Sequence, residues 1–272
     1  MPRIQLDGSS LHFEESGTGT PVLLLHGLGS SGQDWELVAP RLAAAGYRVI
    51  IPDVRGHGRS DKPAGRYGVP LFARDIRDLC DRLGLTHVHV VGLSMGGMIG
   101  FQLAVDRPAL VRSLTVINSG PDMVPRTLSL RLMFATRMLL LKALGPRTLA
   151  RILAPKLFPK PEQAELRRRV VESIGANEPD AYARATRGLV GWTVLDRLKD
   201  ISCPVLVLAS DNDYTPLSAK KAYVEKLADA RLQELKDSRH AAPLDQPEQI
   251  VEAVKGFFLE IEERTREVRR LG

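Results

Sequence analysis

Short apolar runs alternate along this chain with stretches in which apolar positions recur every three to four residues. The runs are "PVLLLHG" (21–27), "YRVIIPD" (47–53), "HVHVVG" (87–92), "LVRSLTVIN" (110–118) and "CPVLVLAS" (203–210). Each is bounded by turn residues and is apolar on consecutive positions, as strands buried on both faces of a parallel sheet are. "RLQELKD" (231–237) fits a further strand nearer an edge. Between the runs lie helical patterns at Leu37 to Ala45, Leu71 to Leu83, Gly97 to Asp106 and Ala219 to Leu227. From Glu248 onward Val251, Val254, Phe258 and Ile261 form one stripe, with Glu252, Lys255 and Glu262 elsewhere. Strand and helix in alternation predict an α/β fold, a mostly parallel open sheet flanked by helices.

The alternation breaks once. From Pro121 to about Lys199 no strand pattern occurs, and helical blocks are cut by Pro125, Pro146, Pro155, Pro159, Pro161 and Pro179. Proline inside a helix costs about 3 kcal/mol, so these are expected joints between short helices. The segment is richer in Leu, Met and Phe than self-packing of short helices requires. It is therefore expected to cover something. The predicted organisation is a core first part (1–120), a helical cap (121–199) and a core second part (200–272).

Composition adds bounds. The 272 residues are 44% apolar and 26% charged, as in an ordinary globular chain. No run reaches the ~18 apolar residues of a membrane span, and no signal-type apolar stretch opens the sequence. A cytoplasmic location without membrane association is expected. Cys80 and Cys203 are far apart and form no C-x-x-C pattern, which leaves neither a disulfide framework nor a metal site. No metal and no cofactor are expected. The net charge of +6 is concentrated in 121–199, which holds 15 basic and 7 acidic residues, against 23 and 25 elsewhere. No nucleic-acid motif accompanies this excess, so it reads as solvated helix faces rather than a nucleic-acid surface.

Chemistry gathers around "HVHVVGLSMGGMIG" (87–100). Ser94 follows a buried strand and precedes a helix, at the carboxyl end of the sheet where α/β folds bind ligands. A sharp strand-to-helix turn brings the residues two before and two after the serine together, so only small ones fit; Gly92 and Gly96 stand there. A serine hydroxyl needs a base, and the base needs an orienting acid. Of six histidines, His87 and His89 lie at the wrong end of their strand, and His12 in an N-terminal hairpin-like region. His26 and His57 sit in glycine-rich turns and read as structural. His240, between the last strand and the last helix, is the candidate base. The acid is Asp213 or Asp211 in "SDNDYTP", with Asp213 favoured and Asp122 a weaker third choice. Backbone N–H groups of Met95, at a helix start, and Leu28, in "HGLGSSG", are the candidate oxyanion donors.

These pieces together resemble the α/β-hydrolase fold superfamily over essentially the whole chain. The matching stretches are "HGLGSSGQDW" (26–35), "DVRGHGRSD" (53–61), "GLSMGGMIG" (92–100), "DNDYTP" (211–216) and "SRHAAPLDQP" (238–247), in the superfamily order Ser, Asp, His. The style is similar to small bacterial carboxylesterases, 3-oxoadipate enol-lactonases and cofactor-free haloperoxidases. The acid loop is tighter than in many relatives, which keeps Asp211 open. The resemblance implies a serine hydrolase of carboxylic esters or lactones acting on a small molecule. It also implies a pocket between cap and core, with Met123, Met133, Phe134 and Trp192 as candidate lining beside Leu28 and Met95. Carbon–carbon bond hydrolysis of ring-fission products and perhydrolase-type activity are alternatives, Leu93 speaking against the former. A non-catalytic ligand-binding protein on the same scaffold is an alternative of another class. Within 121–199, Arg167, Arg168 and Arg169 are consecutive and cannot share one pocket, and Arg147 and Arg151 are one helical turn apart. The apolar "LMFATRMLLLKAL" (132–144) therefore predicts a pocket for neutral short-to-medium esters.

Overall fold

The computed structural model describes residues 2–271. Eight strands form one sheet in the order β1-β2-β4-β3-β5-β6-β7-β8. The strands are β1 (Arg3–Leu6), β2 (Ser9–Ser16), β3 (Thr20–Leu25), β4 (Tyr47–Pro52), β5 (Val88–Leu93), β6 (Val111–Ile117), β7 (Val205–Ser210) and β8 (Ala230–Leu235). β1 and β2 run antiparallel, and every pairing from β4 to β8 is parallel. The six runs read from the sequence are β3 to β8. β5 and β7 are buried at every position, which is why their sequences do not alternate. β8 alternates, as an edge strand with one covered face should.

Helices α1 (Ala39–Ala44), α2 (Val69–Arg82) and α3 (Met95–Asp106) connect the first parallel strands. α3 is buried from Met95 to Val105, so its sequence is apolar all round. Two apolar cores lie on the two faces of the sheet. One joins α2 and α3 to Leu23, Val90 and Leu114; the other joins Trp35, Val49, Val91 and Leu208 to Phe257 and Phe258.

Between β6 and β7 stand α4 (Leu128–Leu157), α5 (Ala164–Gly175) and α6 (Pro179–Leu189). The prolines act mainly as helix starts. Pro179 opens α6, where its missing N–H is no loss, and the break in α4 falls at Gly145 (φ 74°), with Pro146 restarting the helix. Pro155 departs from expectation: it lies within α4, only two residues before the helix ends. These helices have their own apolar cluster of Leu141, Leu149, Phe158, Ile174 and Tyr182, and Leu28 touches both this cluster and the sheet core. The segment's two ends are clasped together. Asp122 and Thr193 form an antiparallel bridge, Met123 N donates to Trp192 O (2.8 Å), and Val194 N donates to Pro121 O (2.9 Å). The sequence pattern contains no sign of this one-residue bridge, since it rests on main-chain atoms alone. After β7 come α7 (Leu217–Val224), α8 (Ala242–Asp245) and α9 (Pro247–Leu271). Among the described residues no helix is long and apolar enough to cross a membrane.

Candidate active site

Ser94 is held between β5 and α3 with φ 51° and ψ −111°, a left-handed backbone that a serine adopts only when its surroundings enforce it. The enforcement is visible. Ser94 N donates to Ile117 O (2.9 Å), and Ser119 Oγ donates to Ser94 O (2.6 Å). A Cβ on Gly92 would lie 2.3 Å from the Gly96 carbonyl, and one on Gly96 would lie 2.1 Å from Leu25 O. The two glycines are therefore required by close backbone approach.

His240 lies in the loop between β8 and α8. Its Nε2 is 2.9 Å from Ser94 Oγ and its Nδ1 is 2.8 Å from Asp213 Oδ1. The structure thus brings together Ser94, His240 and Asp213 from three separate loops. The Asp213 side chain is fully buried; burial works against its charge, but His240 and Lys220 hold its carboxyl below the ordinary carboxylate range. Lys220 Nζ donates to Asp213 Oδ2 (2.6 Å) and to Thr215 O (3.1 Å), and both partners of this ion pair are almost completely excluded from solvent. Asp211 is placed differently. Its two oxygens accept from the N–H groups of Asp237 and Ser238 (2.9 Å each), tying the β7 loop to the β8 loop. Burial opposes its charge, and these N–H donors carry the carboxyl below its usual range. Asp122, the third candidate, pairs with Arg126.

The histidine loop has a further brace. Asn118, at φ 47°, donates through Nδ2 to Ser210 Oγ (2.7 Å) and to the carbonyls of Arg239 and His240 (3.1 Å each), while its Oδ1 accepts from Ser210 N (2.9 Å). His26 donates from Nδ1 to Gly27 O (2.8 Å) and accepts at Nε2 from Val54 N (2.9 Å), so it pins two loops and is spent as a base. His57 is buried against it and pushed down to about 3 by burial.

Met95 is the first residue of α3, where an N–H has no carbonyl one turn earlier. Leu28 follows Gly27, whose N–H donates to Asp34 Oδ2 (3.0 Å). Asp34 is buried, and its carboxyl is raised by burial despite the Ser30 hydroxyl donated to Oδ1 (2.5 Å). The loop 27–34 is thus fixed from behind by the Asp34 side chain.

The other sequence candidates are spread out. Trp192 is buried in the sheet core and donates from Nε1 to Gln102 Oε1 (2.7 Å); Met123 packs on the same core. Met133 is half exposed on α4 and Phe134 is partly buried there. Three residues near the serine were not singled out from the sequence. Tyr214 places its hydroxyl 2.7 Å from His240 Nε2, its ring tilted against the imidazole at 4.1 Å. Tyr182 lies over the loop 27–34, where a Cβ on Gly29 would be 2.9 Å from its ring. Lys220 is the third. Tyr214 stood next to the favoured acid, which was a usable signal; Lys220, in a "KK" pair that reads as solvated, gave none. Among the described residues no group of His, Cys, Asp or Glu converges in a metal-binding arrangement.

With the fold and this arrangement in hand, comparison with known proteins is direct. A family model described as the alpha/beta hydrolase fold matches residues 20–247. A protein of Variovorax paradoxus, named as a proposed carbamate hydrolase RutD, is 36% identical over 85% of this chain and 89% of its own length. The structure of a thermophilic esterase from Thermogutta terrifontis superposes with a TM-score of 0.86 at 26% identity, covering 96% of this chain and 99% of that one. An enol-lactonase from Burkholderia xenovorans LB400 superposes with a TM-score of 0.88, covering 95% and 100%, and at 22% identity it shows likeness of fold. The chain belongs to the alpha/beta hydrolase fold family, and it is an enzyme of that family.

Proposed function

We propose that the protein is a serine hydrolase of carboxylic esters or lactones, working through an acyl-enzyme on Ser94. The observation that carries this reading is the continuous relay Ser94 Oγ, His240 Nε2, His240 Nδ1, Asp213 Oδ1, with steps of 2.9 and 2.8 Å. Ser94 Oγ attacks the carbonyl carbon as its proton passes to His240 Nε2. Asp213 accepts from Nδ1–H and so fixes the tautomer that leaves Nε2 free. Negative charge on the carbonyl oxygen is met by the N–H groups of Leu28 and Met95, each such donor being worth about 10²–10³-fold in rate. Collapse breaks the C–O bond of the ester, and the leaving alkoxide takes the proton from His240. Water then attacks the acyl-enzyme, giving its proton to His240, which returns it to Ser94 as the acid departs. The helices of 121–199 serve as a cap over this site.

A second reading has support from relatives named as proposed carbamate hydrolases. A carbamate carbonyl would follow the same steps with a carbamoyl-enzyme in place of the acyl-enzyme.

The test is turnover of 4-nitrophenyl acetate and butyrate, a simple lactone and an aryl carbamate, with Ser94→Ala as control. Turnover of an ester or lactone that Ser94→Ala abolishes is the expected result. Turnover of the carbamate alone moves the assignment to the second reading. No turnover of any of them, or activity that survives Ser94→Ala, overturns both.

A further inference from the structure

Helix α4 is apolar on two opposite sides. Its inward side carries Phe134, Arg137 and Leu141; Leu141 is buried in the cluster of the helical segment, and Arg137 Nη2 donates to the Tyr182 hydroxyl (2.5 Å). At about 100° per residue, Leu128, Leu132, Ala135 and Leu139 fall on the other side, spaced i, i+4, i+7, i+11. All four are exposed. The three leucines, at 71%, 57% and 67%, are the most exposed large aliphatic side chains among the described residues. Exposed leucines scattered singly are ordinary, but a stripe about 16 Å long on one helix face marks an interaction surface. Leu132 and Leu139 belong to the stretch from which the sequence predicts an apolar pocket, and they point away from it.

The charge beside this stripe has one sign. α4 holds six basic residues and no acidic one. Arg131 and Lys142 flank the leucines along one edge, and Arg147, Arg151 and Lys156 follow the break at Gly145. All five are exposed, and among the described residues none is paired with a carboxylate. Several exposed arginines on other elements do have acid partners: Arg3 with Asp61, Arg41 with Glu248, Arg107 with Asp81, Arg168 with Glu165 and Glu172. The helix thus presents leucines and uncompensated cations to solvent together.

This pairing selects the occupant. A nucleic-acid backbone would meet the cations and leave the leucines uncovered. A second copy seated symmetrically would set α4 against α4, cation facing cation with no acid between them. An anionic lipid surface satisfies both. Leucines enter the boundary between headgroups and acyl chains, while the long arginine and lysine side chains reach back to the phosphates.

We infer that the outer face of α4, led by Leu128, Leu132 and Leu139 and flanked by Arg131 and Lys142, docks the protein on an anionic lipid bilayer. The inner face of the same helix meets Tyr182, which lies over the loop 27–34 after β3. Docking would therefore turn the Ser94 end of the sheet toward the bilayer. The inference goes beyond the reaction proposed for Ser94 and does not depend on it. The sequence expectation of no membrane association rested on the want of a spanning run, and surface docking needs none.

The test is co-sedimentation with vesicles of phosphatidylcholine, with and without phosphatidylglycerol. Wild type is expected to partition onto the anionic vesicles at least about ten-fold more strongly than onto the neutral ones, and added salt should shrink that preference. Leu128→Ser/Leu132→Ser/Leu139→Ser should weaken binding to anionic vesicles by at least about ten-fold, with a Tm near wild type because all three side chains are exposed. Arg131→Gln/Lys142→Gln should cut the preference for anionic vesicles by at least about five-fold, and it serves if the serine variant does not fold. Failure of wild type to bind anionic vesicles overturns the inference, as does binding indifferent to either set of substitutions. A wild-type dimer that ignores vesicles and becomes monomeric with the serine substitutions assigns the stripe to a second copy, and overturns it equally.

Discussion

The hydroxyl of Tyr214 and Nε2 of His240 lie 2.7 Å apart, although the same nitrogen faces Ser94 Oγ at 2.9 Å. A neutral imidazole has one lone pair at that atom, so the two hydroxyls compete for it. Tyr214 is 68% exposed and has room to move aside. Tyr214→Phe should therefore raise kcat/KM by about two- to ten-fold, the worth of one modest hydrogen bond that substrate no longer has to displace. Steady-state kinetics on 4-nitrophenyl butyrate decides this. A fall of kcat beyond about ten-fold at constant KM would instead assign the phenol to the chemical step.

The two aspartates of the acid loop should separate cleanly. Ser94→Ala and His240→Ala are expected to lose at least about 10³-fold of kcat, and Asp213→Asn somewhat less, because the proposed oxyanion donors persist in each. Asp211→Asn should keep kcat near wild type while lowering Tm, since Asp211 braces two loops through the N–H groups of Asp237 and Ser238. A large kcat loss confined to Asp211→Asn would move the acid there.

Lys220→Met removes the cation from a buried ion pair and leaves the Asp213 carboxylate facing His240 alone. Breaking such a pair costs about 3–5 kcal/mol, to be read from urea denaturation. With its cation gone, Asp213 stabilises the imidazolium more strongly, and the acid limb of the kcat/KM profile should move to higher pH. An unmoved acid limb in a folded variant would mean that Lys220 acts on stability only.

Stability should fall in acid through two histidines remote from the catalytic step. Burial pushes both His57 and His89 down to about 3, from the ordinary 6.5 of an exposed imidazole. Between those values the unfolded chain binds protons that the folded chain does not. Their contribution is complete above 6.5 and is lost as pH falls toward 3, by up to about 1.4 kcal/mol per pH unit for each. His89 is stacked on Phe258 at 3.9 Å and held by Ser113 Oγ at 2.7 Å. Denaturation of His89→Gln across pH 4–7 should show a shallower slope than wild type, and an identical slope would exclude His89 as a contributor.

Strands β3 to β8 were legible because burial on both faces leaves a continuous apolar imprint, and β8 because an edge leaves alternation. The strained turn at Ser94 was legible because its sterics admit glycine at 92 and 96 and little else. Asp213 is favoured over Asp211 in the sequence without being separated from it outright: two residues apart in one loop, they differ by what lies across the fold, Lys220 and His240 for one, two N–H groups for the other. Lys220 was invisible for a related reason. A charged side chain in a helix reads as solvated until tertiary structure closes over it, and nothing local distinguishes buried Lys220 from its exposed neighbour Lys221.

The bridge between Asp122 and Thr193 makes the intervening stretch a cassette with a single doorway. Its two ends already meet, so a replacement of any length need only span the gap between adjacent residues, and the closure entropy grows only slowly with length. A replacement would have to keep Trp192, which lies inside this stretch yet packs in the sheet core, while Ser94, Asp213 and His240 keep their anchors in the turns after β5, β7 and β8. On the proposed reading of these helices as a cap, substrate range would be exchanged at this doorway while the three residues of the proposed relay stay in place.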